Sequence, residues 1–141
     1  MKKGGVQNFD KFKRQLEKRV IKNTQKEVKN LVQRSATLVE NTAKKSILSG
    51  GSGITYEKYN PRRTHKASAS GEFPATDTGF LVNNISVRFT SDGLEGNVVS
   101  NANYSSLLEF GTSKMGARPF MQPSLEQNRP KIRARLRKLI G

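Results

Sequence analysis

Apolar positions recur every three or four residues from residue 9 to residue 48. The stripe consists of Phe9, Phe12, Leu16, Val20, Thr24, Val28, Leu31, Ser35, Leu38 and Thr42. This spacing is typical of one face of an amphipathic helix, and Gly50 and Gly51 are suitable residues to end it. The pattern therefore predicts a helix over 9–48, about 60 Å long at 1.5 Å per residue. A domain of this size is narrower than that, so both a core helix and a helix between subunits remain open.

The composition changes over residues 49–79, where glycine, serine and basic residues replace the apolar stripe. Loops of this length without regular structure are uncommon unless they bind a partner or are disordered. We therefore predict a flexible basic loop that becomes ordered against a partner. Its cations lie near two tyrosines and are suited to contact a polyanion or to anchor on a neighbouring subunit. The candidate residues are Arg62, Arg63 and Lys66.

The stretch from residue 80 to residue 100 has the alternation of a half-buried strand. Ile85, Val87 and Phe89 alternate with polar residues, which places the apolar side chains on one face. Asp92-Gly93 is a hairpin turn signal. Two strands are not stable alone, so we expect the predicted strands, 84–90 and 94–100, to pack on the long helix.

The residues from 104 to 125 predict a rigid elbow between two helical segments. A short helix near 103–110 ends at Gly111, where a helix often needs a residue with positive φ. Pro119 restricts the backbone on both of its sides, so that Phe120 points in a defined direction. Pro123 suits the first turn of a C-terminal helix.

These elements together predict an α+β fold. It consists of a long N-terminal helix packed on a small antiparallel sheet, followed by a short helix and a C-terminal helix. The size of the chain, 141 residues, predicts one domain, 1–141. Its parts are the helix 9–48, the flexible basic loop 49–79, and the sheet, elbow and C-terminal helix of 80–141.

The charge is strongly positive and uneven. The net charge is +15, with 13 Lys and Arg against 4 Asp and Glu in residues 1–48, and five basic residues without an acid in 131–141. Basic ends on a neutral middle indicate contact with nucleic acid or with an acidic protein face, and the terminal candidates are Arg133, Arg135 and Arg137. No apolar segment predicts a signal peptide or a membrane span, so we expect the protein in the cytoplasm where it is made.

Residues suited to catalysis are sparse. The chain has one histidine, no cysteine and eleven scattered carboxylates, without the spacing of metal ligands. Glu109 is the acid in the densest motif, and we interpret it as the partner of Arg118 or another basic residue. The sequence predicts a protein that is not an enzyme and that needs no cofactor or metal.

Two patches resemble a known family. Tyr-x-x-x-Leu-Glu-Phe-Gly-Thr from Tyr104 to Thr112, followed by Ala117-Arg118-Pro119-Phe120 and Pro123, resembles the signature of the phage family typified by the gp10 protein of phage HK97. Thr78-Gly79-x-Leu81-x-x-x-Ile85 resembles a second patch of that family, with Asn84 where serine is common. The interface residues that the resemblance implies are Tyr104, Leu108, Glu109, Phe110, Gly111, Thr112, Arg118, Pro119, Phe120 and Pro123.

The resemblance implies a tail-completion or neck protein of a siphovirus-like phage or prophage. Such a protein joins the tail to the head as a homo-oligomeric ring, expected to be six-fold, and its partners are head-closure (stopper), tail-terminator or tail-tube proteins. It is expected in the host cytoplasm during assembly and then in the virion neck, near packaged DNA. Two alternatives remain: a tail terminator that caps the tail tube, and a basic nucleic-acid-binding protein, although no DNA-docking motif is recognisable.

Overall fold

The computed structural model describes residues 4–141, with side chains from Phe9 onward. Its elements in chain order are α1 (Gly4–Leu48), β1 (Thr55–Tyr59), β2 (Arg62–Lys66), α2 (Phe80–Asn83), β3 (Ile85–Phe89), β4 (Gly96–Ser100), α3 (Ser105–Phe110) and α4 (Met121–Ile140). This confirms the predicted α+β class. The assignment of residues 1–141 to one domain stays a prediction, and the first three residues lie outside the described part.

The C-terminal half of α1 forms one side of the core. Ala36, Val39, Ala43 and Ile47 are buried at intervals of three and four residues. The first three each lie one position beyond a residue of the predicted stripe, in which Leu38 and Thr42 are only half-buried. The four buried residues meet α2, β3 and α4, and the buried cluster is completed by Leu81, Val82, Ile85, Ala102 and Phe120. The predicted end of α1 at residue 48 is confirmed, whereas the helix begins before residue 9.

The β3–β4 hairpin has the predicted antiparallel pairing, from Ile85 opposite Ser100 to Phe89 opposite Gly96. Both strands contact α1. Gly96 is needed for that contact because a Cβ there would lie 2.9 Å from the Cβ of Ala36. A glycine at the first position of β4 therefore sets how closely the sheet approaches the helix.

The interpretation of residues 49–79 as a loop without regular structure is wrong for its central part. β1 and β2 form a second antiparallel hairpin, in which Thr55 pairs with Lys66 and Tyr59 with Arg62. This hairpin has no apolar face that a sequence pattern could reveal. Ionic contacts hold it instead. The mobility of the segment in the free protein stays a prediction.

Asp77 holds the inner face of this hairpin. It accepts hydrogen bonds from Lys58 and from Nε of Arg63 at 3.0 Å, and Nδ1 of His65 lies 3.9 Å from its Oδ1. Hydrogen bonds from the two cations lower the pKa of Asp77. The carboxylate therefore stays charged, and it ties two cations of the hairpin to the chain that follows β2.

Glu72 closes the base of the same segment. Its carboxylate accepts hydrogen bonds from the Ser52 hydroxyl, from the Ser52 amide at 3.1 Å and from the Ala69 amide at 2.9 Å. The hydroxyl donor, followed by the amide donors, lowers the pKa of Glu72 to about 2. The Glu72 carboxylate thus joins Ser52, which precedes the hairpin, to Ala69, which follows it.

We predict that the base of this segment loosens in acid. Because the pKa of Glu72 is lower in the folded protein than in the unfolded chain, where it is about 4.3, its stabilisation is complete above that value and is lost as pH falls towards 2. The amides of Ser52 and Ala69 should exchange hydrogen faster in wild type as pH is lowered through this range, relative to core amides. In Glu72→Gln this additional acid-dependent loss should be absent. Equal behaviour of the two proteins would contradict the assignment.

Candidate functional site

The carboxylate of Glu109 caps α4 from the end of α3. Its Oε2 accepts hydrogen bonds from the amides of Phe120 at 2.8 Å and Met121 at 3.0 Å, and its Oε1 accepts from the amide of Gln122 at 3.0 Å. Helix N-termini carry unpaired amides and a partial positive charge, and charged acceptors form stronger hydrogen bonds to amides than neutral ones. The cap residue of α4, Phe120, supplies no side-chain cap. Glu109 therefore does for α4 what a local capping residue usually does.

The interpretation of Glu109 as the partner of Arg118 is wrong. The Arg118 side chain donates from Nε to the carbonyl of Ser68 at 3.1 Å, and its amide donates to the carbonyl of Leu108 at 2.7 Å. The Gly71 amide also donates to the carbonyl of Ala117 at 2.8 Å. Arg118 therefore joins the elbow to the segment that follows β2, and Glu109 remains available for the amides of α4.

Gly111 has the positive φ that the sequence predicts. Its φ is 75° and its ψ is −178°, a combination that essentially only glycine adopts. A Cβ at this position would lie 2.8 Å from the amide nitrogen of Ala117 and 2.9 Å from the carbonyl oxygen of Met115. Thr112 then closes the following turn, since its hydroxyl accepts from the amide of Met115 at 3.1 Å. The chain can therefore reverse here only without a side chain at position 111.

The second half of the elbow directs Phe120 into the core. Phe120 is fully buried and packs in the cluster with Ile47 and Ile85. Pro119 precedes it, and Pro123 is the third residue of α4, in the first turn as predicted. Phe120 is therefore a core residue of this chain and offers no surface to a partner.

Other motif residues lie at the surface and form an exposed aromatic edge, defined here as Phe80, Tyr104, Leu107 and Phe110. The Phe110 side chain is 81% exposed and Leu107 is about half exposed. The rings of Phe80 and Tyr104 lie with centroids 6.0 Å apart, and partial burial raises the pKa of Tyr104. The two sequence patches of the resemblance thus meet in space. Phe80 and Leu107 occupy variable positions of those patches, so the pattern did not single them out.

A cleft of about 390 Å³ lies beside this edge, between the basic hairpin and the elbow. Asp77, His65, Tyr104 and Arg118 line it, together with Leu108. The His65 side chain is only 16% exposed, because its hairpin packs against Asp77 rather than extending into solvent. Within the described part of the chain, no three carboxylate or histidine side chains converge as metal ligands do.

The structure separates the basic candidates from the elbow and from one another. Arg62 and Lys66 are exposed on the outer face of β2, whereas Arg63 is paired with Asp77 on the inner face. On α4, Arg133 and Arg137 border one surface depression with Glu126, and Arg135 lies on another side, next to Arg34 of α1. The three terminal arginines therefore do not form one continuous patch.

A family model matches residues 10–111, more than two thirds of the chain. The family is described as "Bacteriophage HK97-gp10, putative tail-component". The chain belongs to this family. The match ends at Gly111, so the Ala117–Phe120 part of the resemblance and α4 lie beyond it. No curated protein and no solved structure matches the chain. Among the described residues of this phage tail component, no helix is long and apolar enough to span a bilayer.

The conformation of Gly111 gives a matched pair of substitutions. Gly111→Ala should destabilise the protein more than Gly71→Ala. Both glycines have positive φ, 75° and 84°, but a Cβ at Gly71 meets no atom within 4 Å. The positive φ alone costs about 1–2 kcal/mol, and the Gly111 variant must in addition displace the backbone at 115–117. Urea unfolding of both variants measures the difference. Equal losses would show that the elbow has room for a side chain.

The Glu109 cap can be tested by removing its charge. Glu109→Gln keeps the size of the side chain but replaces one acceptor oxygen with an amide group, and hydrogen bonds to charged groups contribute about 1.5–3 kcal/mol. We expect a loss of stability in or near that range. Glu126→Gln is the control because it removes an acid from the same helix, where Glu126 forms an exposed pair with Arg129, and it should change stability by less than about 1 kcal/mol. A control variant that loses as much as Glu109→Gln would refute the specific role of the cap.

Proposed function

We propose that this phage tail component is a tail-completion protein, a non-catalytic structural part of the ring that joins the tail of a siphovirus-like phage or prophage to its head. The observation that carries the proposal is the exposed aromatic edge on an elbow with a closely constrained backbone. Phe110 is 81% exposed beside Gly111 and the Glu109 cap, so a constrained backbone presents a side chain that is open to a partner. Exposed aromatic side chains on rigid supports are typical anchors of protein interfaces.

The partners proposed for this surface are the neighbouring neck and tail proteins: the head-closure protein and the tail terminator or tail-tube protein. Several copies of a chain with net charge +15 repel one another unless acidic neighbours or DNA offset the charge. We therefore propose that the protein is made in the host cytoplasm, remains mostly monomeric at low salt, and joins a six-fold ring on its partner surface near the packaged DNA.

Deletion of the gene tests the joining role against the nearest alternative. Electron micrographs of the resulting lysate should show DNA-filled heads beside separate tails of normal length. Tails much longer than normal would instead identify a tail terminator, because an uncapped tube continues to grow. Normal joined particles would refute both roles.

A substitution of three charges tests whether the C-terminal basic residues serve assembly. We expect a phage with Arg133→Gln, Arg135→Gln and Arg137→Gln to yield fewer joined particles and lower infectivity, while the purified protein keeps its melting temperature because all three side chains are exposed. The control removes three exposed charges elsewhere: Lys29→Gln, Lys45→Gln and Lys114→Gln. A wild-type yield of joined particles in the triple-arginine variant would mean that these three arginines only face solvent and do not serve assembly.

The same purified proteins address the nucleic-acid-binding alternative. A DNA-binding protein would bind free duplex as a monomer, and its affinity would fall steeply with rising salt. If the monomer binds duplex DNA tightly and the deletion leaves joined particles intact, the basic surfaces serve nucleic acid and the structural proposal is wrong.

A further inference from the structure

An open apolar groove of about 610 Å³ runs along the body of the protein. Its floor is α1 at Leu31, Val32 and Ser35. Leu125 and Leu136 of α4 form one wall, and the other wall is the start of β4 with the preceding turn. Leu94, Leu125 and Leu136 are each between two fifths and about half exposed. Contiguous exposed apolar side chains in a groove are typical of an interaction site.

Ser35 lies in the groove floor. Its Oγ is buried by the chain itself and has no hydrogen-bond partner among the described residues. The surface that the groove offers to another molecule is therefore apolar.

The same chain has a second uncovered apolar surface, the N-terminal arm, defined here as residues 9–27 of α1. Every residue of the arm is exposed. Four apolar side chains along one stripe, Phe9, Phe12, Leu16 and Val20, are each at least half exposed. The arm is about 28 Å long at 1.5 Å per residue, and none of the described elements lies over it.

The arm cannot cover the groove of its own chain. It continues the helix that forms the groove floor, because α1 is one uninterrupted helix from Gly4 to Leu48. Its stripe therefore extends away from Leu31 and Val32 and cannot turn back over them. The stripe and the groove of one chain therefore cannot cover each other, and each needs a second molecule to cover it.

We propose that the arm of one copy lies in the groove of the next copy, with the stripe towards Val32, Leu94 and Leu125. This inference rests on the proposed oligomeric role of the protein. The contact joins two different surfaces, so each copy offers a free arm and a free groove to further copies. Interfaces of this kind close into rings when the rotation between neighbours permits it.

The arm directs most of its positive charge away from the stripe. Lys11, Lys18 and Lys22 project from the side opposite the stripe. Asp10 and Glu17 are seven residues apart and lie on one side of the stripe, with Lys13 between them. The apolar stripe can therefore enter the groove of another copy while these three lysines remain in solvent.

Cysteine cross-linking tests this contact directly, because the chain contains no cysteine. One protein carries Phe12→Cys, Leu16→Cys or Val20→Cys in the arm, and a second protein with a different tag carries Leu94→Cys or Leu125→Cys in the groove. The mixtures are oxidised mildly at about 1 M NaCl, where screening of the like charges is nearly complete. The control arm variant is Lys18→Cys, on the side opposite the stripe.

We expect at least one mixture to give about tenfold more mixed disulfide than the Lys18→Cys control, because a disulfide requires closely placed Cβ atoms. A single chain with both successful substitutions should form a ladder of covalent oligomers beyond the dimer. Disulfides between two arms alone, or none above the control, would overturn the proposal. A different phage protein cross-linked to the groove cysteine in particles, with no cross-link to the arm, would also overturn the proposal.

Oxidation of purified phage particles that carry the double substitution separates this inference from the proposed function. A ladder in particles supports both. The matched control for these particles combines Lys18→Cys with the same groove cysteine. Particles that contain the protein but give no ladder above this control refute the arm–groove contact and leave the role in the tail in place. Joined particles that lack the protein refute the proposed function itself.

Discussion

The position of α4 depends on one carboxylate. Glu109 accepts three amide hydrogen bonds from the first turn of this helix, and neither Phe120 nor Pro123 provides a side-chain cap. With its N-terminus held, α4 runs back along α1, where the Asn128 side chain donates to the Thr42 hydroxyl at 2.8 Å. The Glu109 cap therefore links the short helix α3 to the packing of the two longest helices.

Features specified by neighbouring residues were predictable from the sequence. The end of α1 follows from two glycines, the β3–β4 hairpin follows from alternation and Asp92-Gly93, and the helix stop follows from Gly111. The positive φ of Gly111 was expected, but its extended ψ of −178° was not. That ψ depends on the close approach of residues 115–117, which no local signal encodes.

Features that depend on distant partners were not predictable. Glu109 and the amides it caps are separated by a turn whose course the sequence does not give, so a salt bridge to Arg118 was the simplest interpretation. The β1–β2 hairpin was missed because its strands contain almost no apolar residues, and periodicity detects only apolar faces. Asp77 holds that hairpin through Lys58 and Arg63. Asp77 is more than ten residues from both cations in the sequence, so no local pattern indicated the pairing.

The two halves of α1 show what an apolar stripe can and cannot specify. Ala43 and Ile47, which lie beside the stripe, are in the core, whereas Phe12 and Leu16 in the stripe are at least half exposed. The pattern shows which side of the helix is apolar and favours burial. It does not show whether the same chain or another molecule buries that side. Full burial of a large apolar side chain contributes about 1.5–3 kcal/mol, so four such residues in the arm offer a substantial driving force for association. The net charge of +15 opposes that association most strongly at low ionic strength. Under the proposed arm–groove contact, the balance between these two terms would make association depend on salt or on an acidic surface that offsets the charge. A component with that dependence would assemble only beside such a surface.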